Sequence, residues 1–295
     1  MTARLLRQWT APGAVEAIAL RFDGRLFASG CRDGNVFLWD WRTGIRTGGW
    51  TFSNVSSLAF SADGSQLAVG GEGAIWLCSL LASHPTIFSI SCPGEILSVA
   101  FRPDGHVFAA GSVDGVAHLW NPLTRQPLAK LPHDDGVRAV AFSPNGRLLA
   151  TATQGGSLLL WDAQTGQGLA SVLQESAWMS STAFSLDGRW LACGLETGEL
   201  VVIALETGQV IWRLVAHHRP ILSVAFSPDS AWVVSGGADA AARLWSSVDG
   251  RSVPGLMSHQ QAITGVACAP LQEVSGAVLL ATGSLDATVG CWSIA

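Results

Sequence analysis

The chain has 295 residues, a formal net charge of −5, and charged side chains at 13%, about half the share of an ordinary soluble domain. The acidic balance and the lack of any basic cluster exclude non-specific nucleic-acid binding. Mean hydropathy is positive, but no uninterrupted apolar run approaches the roughly 20 residues of a spanning helix, so no membrane partner is expected, and sheets buried on both faces account for much of the apolar content.

The amino terminus, Met1 to Trp9, lacks the apolar core and cleavage site of a secretory signal. Apolar residues then come in runs of four to six, the length of buried strands. The phrasing is clearest from Val137 to Trp161. Three short runs, Val137–Phe142, Leu148–Thr151 and Leu158–Trp161, are cut by Pro144-Asn145-Gly146 and Gln154-Gly155-Gly156. Gly and Asn reach positive φ at little cost, so these cuts read as tight hairpins and the stretch as an antiparallel meander.

An Ala-Phe pair closing the first run recurs at Phe60, Phe101, Phe142, Phe184 and Phe226, with weaker copies at Leu20 and Cys268. The steps are 40, 41, 41, 42, 42 and 42 residues, the period of a propeller blade. Seven units follow, near 15–50, 55–91, 96–131, 137–173, 179–214, 221–257 and 263–295. A unit this small cannot bury both faces of its sheet alone, so the units must stack into one domain spanning 1–295. The expected fold is all-β: a seven-bladed β-propeller of four-stranded antiparallel blades. The seventh unit lacks a fourth strand, and residues 4–9 precede the first unit at the spacing of one. That segment is expected to close the ring beside Val289–Trp292 and remove two open sheet edges.

The Trp-ended runs carry Trp39-Asp40 and Trp161-Asp162, with Trp120-Asn121 and Trp245-Ser246 as variants. The turns include Pro103-Asp104-Gly105, Pro144-Asn145-Gly146 and Pro228-Asp229. These residues resemble the WD-repeat β-propeller family over essentially the whole chain. The resemblance implies a buried His, Ser/Thr, Asp and Trp network in each complete blade. Two units match it: His217, Ser235, Asp239 and Trp245, then His259, Thr282, Asp286 and Trp292. The fourth has His133, Thr151 and Trp161 with Gly155 in place of Asp; the first has Ala11 in place of His. The pattern also makes physical sense, because a buried carboxylate needs the donors that imidazole and hydroxyl supply.

The same trio could suggest a hydrolytic triad, but it occurs twice at equivalent offsets, its Trp explains both, and no Gly-x-Ser-x-Gly elbow accompanies it. Neither a metal nor a phosphate site is expected: His217-His218 adjoin in a turn, and no Walker or dinucleotide glycine pattern appears. No cofactor is expected. The six cysteines have no CxxC spacing and read as buried thiols of a reducing, cytoplasmic setting. A single lysine, Lys130, among 17 basic residues points with abundant alanine to a GC-rich, bacterial genome.

The resemblance implies partner binding on the face whose loops precede the first strands. Most positions carried over to that face are small. The larger ones, Trp178, Arg138, Arg32, Leu97, Leu222, Glu16, Glu95 and Glu196, form the candidate surface, and Trp and Arg are enriched in binding hot spots. The expected function is a non-catalytic adaptor, monomeric by itself, that holds a protein or peptide partner. The alternatives are a small-molecule, metal or catalytic site at the channel mouth, and a structural oligomer built through the rim residues Trp9, Trp50 and Trp212.

Overall fold

The computed structural model describes residues 3–80, 86–271 and 277–294. The final residue of the expected seventh unit, 295, lies outside them. Among the described residues all regular structure is β-strand, in 26 segments. Each strand of the first, fourth, fifth and sixth units forms where the apolar runs predict it. Val137–Phe142, Leu148–Thr153, Ser157–Asp162 and Gly168–Gln174, for example, pair in that order.

The strands make six hydrogen-bonded sheets, not the seven separate blades expected. Five are four-stranded. The correction lies in the second and third units, which share one six-stranded sheet. There Gln66–Ser79 and Ile87–Phe101 each run on where the sequence predicts a break, and Glu72 pairs with Glu95 across the junction. The physical cause is a shorter turn. Val69 to Cys78 spans one residue fewer than Ser29 to Trp39 in the first unit, and the reversal tightens onto Gly73 at φ 70°. No loop then intervenes to interrupt the ladder.

Ala3–Thr10 pairs antiparallel with Thr288–Ile294, with Trp9 opposite Val289 and Ala3 opposite Ile294. It forms the outer strand of the sheet that also holds Val278–Ser284 and Ile263–Pro270. Trp9 packs on Phe27 of the first unit, ring centroids 5.2 Å apart, so this strand touches both ends of the repeat array.

Apolar clusters lie between consecutive units. One joins the first unit to the last through Val15, Phe27, Leu279 and Val289, all fully buried. The approach of neighbours is set by glycine. Six second strands carry Gly30, Gly70, Gly111, Gly194, Gly236 and Gly283, against which the next unit's first-strand residue (Val55, Ile96, Val137, Ile221, Ile263, Val15) packs so closely that an added Cβ would sit 2.4–2.8 Å away. The fourth unit has Ala152 instead, and its neighbour there is the unbranched Met179, which can bend around a methyl group. Four first strands add a hydroxyl link. Ser57, Ser98, Ser181 and Ser223 Oγ accept the amide N–H of Val99, Val140, Val224 and Val266 at 3.0–3.1 Å.

Trp9, Trp50 and Trp212 are half-buried. Trp50 packs into the cluster between the first two units, and Trp212 donates its indole N–H to Ser247 O at 2.9 Å. Each of these rim tryptophans thus touches a neighbouring unit.

Candidate functional site

At one mouth of the central channel a depression of about 430 Å³ is lined by Glu16, Arg32, Asn54, Glu95, Leu97, Arg138, Ser180, Leu222 and Thr264, among others. Six of the eight singled-out residues therefore lie together. The other two join through Arg138. Its guanidinium lies over the Trp178 ring, 4.1 Å from the centroid, and Glu196 donates its amide N–H to Trp178 O at 3.2 Å. The strand pleat explains the grouping: Glu16, Arg138 and Leu222 are the second residues of their strands, Leu97 holds the equivalent place after Ile96 within Ile87–Phe101, and all four line the depression while the apolar residues beside them face the sheets. Ser56, Ser180 and Thr264 hold the same register position. Their small side chains gave no sequence signal, yet each bonds the next unit's backbone: Ser56 to Ile96 O, Ser180 to Ile221 O, and Thr264 to Val15 O at 2.7 Å.

Charges around the mouth are unequally satisfied. Arg32 Nε lies 2.5 Å from Glu16 Oε1, and Asn54 donates to Glu95 at 3.4 Å. Arg138 has neither hydrogen bond nor ion pair among the described residues, and its Nε and the Trp178 Nε1 are buried donors without acceptors. Burial pulls the Arg138 pKa down, against the fields of Glu95 and Glu196, which raise it.

The hydrogen-bonded network sits away from the axis. In the sixth unit His217 Nδ1 is 2.8 Å from Asp239 Oδ1, His217 Nε2 is 2.7 Å from Ser235 Oγ, and Trp245 Nε1 donates to Ser235 Oγ at 2.9 Å. Satisfying every group assigns the Nδ1 proton to the Asp239 bond. Sequence reasoning missed Arg243, which donates to Asp239 Oδ2 at 2.7 Å. Its signal was a lone charge in the run Ala241-Ala242-Arg243-Leu244-Trp245. Burial raises the Asp239 carboxyl, but Arg243 and His217 outweigh it and hold it below the ordinary carboxylate range.

The seventh unit is looser. His259 Nε2 and Trp292 Nε1 both meet Thr282 Oγ1, at 2.7 and 3.0 Å. His259 Nδ1, however, lies nearer to Thr288 Oγ1 (2.8 Å) than to Asp286 Oδ2 (3.5 Å). Asp286 accepts instead from the Gln260 N–H and Thr288.

In the fourth unit His133 and Trp161 meet Thr151 Oγ1 at 2.8 and 2.9 Å. His133 Nδ1 is buried without a partner, because Gly155 supplies no carboxylate. A Cβ at Gly155 would fall 2.1 Å from Asp135 Oδ2, so the exposed Asp135 side chain occupies the space of a side chain at 155 without bonding His133. The double variant Gly155→Asp with Asp135→Ala is expected to gain about 1 kcal/mol in urea unfolding, the worth of one satisfied buried donor. Gly155→Asp alone is expected to gain less, because two carboxylates then crowd one site.

Among the described residues no group of His, Cys, Asp or Glu could hold a metal ion, and no helix is long and apolar enough to cross a membrane. The six cysteines are free thiols, all buried except the half-buried Cys268. Burial pushes Cys31 up to about 11 and Cys78 up to about 12, which makes them poor nucleophiles.

A family model described as "WD domain, G-beta repeat" matches residues 3–40, 45–78, 85–121, 125–162 and 208–246. The periodic tryptophan protein 2 homolog of Schizosaccharomyces pombe is 32% identical over 124 residues, 40% of this chain and 14% of that protein. Small ribosomal subunit protein RACK1 of the same yeast is 27% identical over 128 residues, 37% of this chain and 38% of that protein. Guanine nucleotide-binding protein subunit beta-1 of Nicotiana tabacum is 32% identical over 117 residues, 35% and 31% of the two chains. The match thus spans well under half the length of each of these relatives.

Proposed function

The chain belongs to the WD40-repeat family, and we propose that it is a non-catalytic adaptor whose channel mouth holds a protein partner. The observation that carries this reading is the Arg138–Trp178 stack. A guanidinium and an indole meet at the mouth with their polar N–H groups unspent, the residue types that dominate binding hot spots. Two relatives are subunits of larger assemblies by name, a ribosomal subunit protein and a guanine nucleotide-binding protein subunit, which supports a place within an assembly.

We read the ring as seven wedges, with the six-stranded sheet acting as two joined blades and Ala3–Thr10 as the fastening strand. Support comes from the apolar clusters, which lie between each unit and the next and between the last and the first. A monomer in the cytoplasm fits the buried free thiols and the rim tryptophans spent internally.

The test is recovery of partners from the native host with the wild-type chain and with Trp178→Ala/Arg138→Ala. At least one partner is expected to fall about tenfold or more, the loss of a pair of hot-spot residues. Equal recovery of every partner by both forms, with both folded by circular dichroism, overturns this face.

A further inference from the structure

The mouth is nearly self-satisfied, and that narrows what its partner must bring. The hydroxyls of Ser56, Ser180 and Thr264 are spent on neighbouring carbonyls. Glu16 is taken by Arg32. What is left without an acceptor is the Arg138 guanidinium and the Trp178 indole N–H. A half-buried guanidinium with no hydrogen bond is costly, and the cost is relieved by an anion presented in its plane. The stack on Trp178 holds that plane, so little freedom remains to be lost on binding. Leu97 and Leu222 line the same depression and give an alkyl stem somewhere dry to rest. Against this, Glu95 lines the same depression and Glu196 bonds the Trp178 backbone, and the negative field of the two at Arg138 repels a bare anion.

Resting on the docking reading above, we propose that the mouth receives the carboxylate of an Asp or Glu side chain flanked by Lys or Arg in a protein partner. The carboxylate accepts from the in-plane N–H groups of Arg138. The flanking cations lie opposite Glu95 and Glu196, so each charge of the mouth meets its opposite and an unflanked acidic segment is rejected.

The experiment follows the side-chain N–H resonances of Arg138 Nε and Trp178 Nε1 by ¹H–¹⁵N NMR on the full chain. The probes are acetyl-Lys-Glu-Lys-amide and acetyl-Lys-Gln-Lys-amide. Both resonances are expected to move saturably with the Glu peptide, and the Gln peptide to bind at least about fivefold more weakly, the discrimination of one charge-assisted bond. In Arg138→Lys, with an otherwise native spectrum, that preference is expected to vanish, because an ammonium lacks the planar fork. Equal binding of the two peptides overturns the carboxylate inference while leaving the docking face standing. Unmoved resonances with both peptides overturn the two together.

Discussion

Deleting residues 1–9 is expected to lower the melting temperature by roughly 10 °C, the shift that a loss of several kcal/mol gives a chain of this size. Three contributions disappear at once. The ladder to Thr288–Ile294 loses six of its seven residue pairs, leaving only Thr10 opposite Thr288. Trp9 leaves Phe27, and burying an aromatic of that size is worth about 1.5–3 kcal/mol. Thr288–Ile294, whose Val289 and Cys291 are fully buried, becomes an open apolar edge that invites association. Differential scanning calorimetry at several concentrations checks both effects. A truncated chain that melts within about 2 °C of the full one would show that Ala3–Thr10 decorates the ring without fastening it.

Asp239→Ala is expected to cost about 2–4 kcal/mol in chemical denaturation, the range for breaking a buried polar network. The Asp239 side chain is fully buried and serves His217 and Arg243 together, with the exposed His218 3.2 Å away. Removing the carboxylate takes the shared acceptor from His217 and Arg243 at once and leaves the guanidinium facing the imidazole, 2.5 Å from Nδ1, with no anion between them. Asp286→Ala is expected to fall at the lower end of that range, because Thr288 Oγ1 stays as the nearer partner of His259. A change below half a kcal/mol at Asp239 would reject the network.

The same network gives a direction with pH. Burial lowers the pKa of His217, His133 and His259 below the free value. A depressed folded-state pKa means stability that is complete above about pH 6.5, the unfolded histidine value, and is lost as pH falls through the folded values. Asp239, also depressed, withdraws its contribution further into acid, below about pH 4. Acid sensitivity is therefore expected to begin with the histidines and deepen with the carboxylates.

The period of the chain was legible because most units spend the same residues on the same burdens: an Ala-Phe pair at the end of the first strand in five, a Gly or Asn turn, and a Trp against a hydroxyl in four. The pairing of the first segment with the last strand followed from spacing alone. Merging of the second and third units was not legible, because a turn one residue shorter reads as a variant turn until its neighbour's backbone is alongside. Arg243 lies four residues from Asp239 but holds a strand position that the repeated network does not include, and Thr288 escaped notice because its partner His259 is 29 residues away. The Arg138–Trp178 stack joins adjacent units, and Asp135 fills the place of a residue that Gly155 lacks. Both are facts about what a side chain meets, which spacing within one unit does not encode.

Antiparallel pairing sets Ala3 directly across from Ile294, at the same end of their ladder. Tension applied through those two residues would peel the bonds apart singly, as a zip opens, where a parallel arrangement would share the load across all of them. That ladder therefore yields most readily to being tugged apart from the end that holds Ala3 and Ile294.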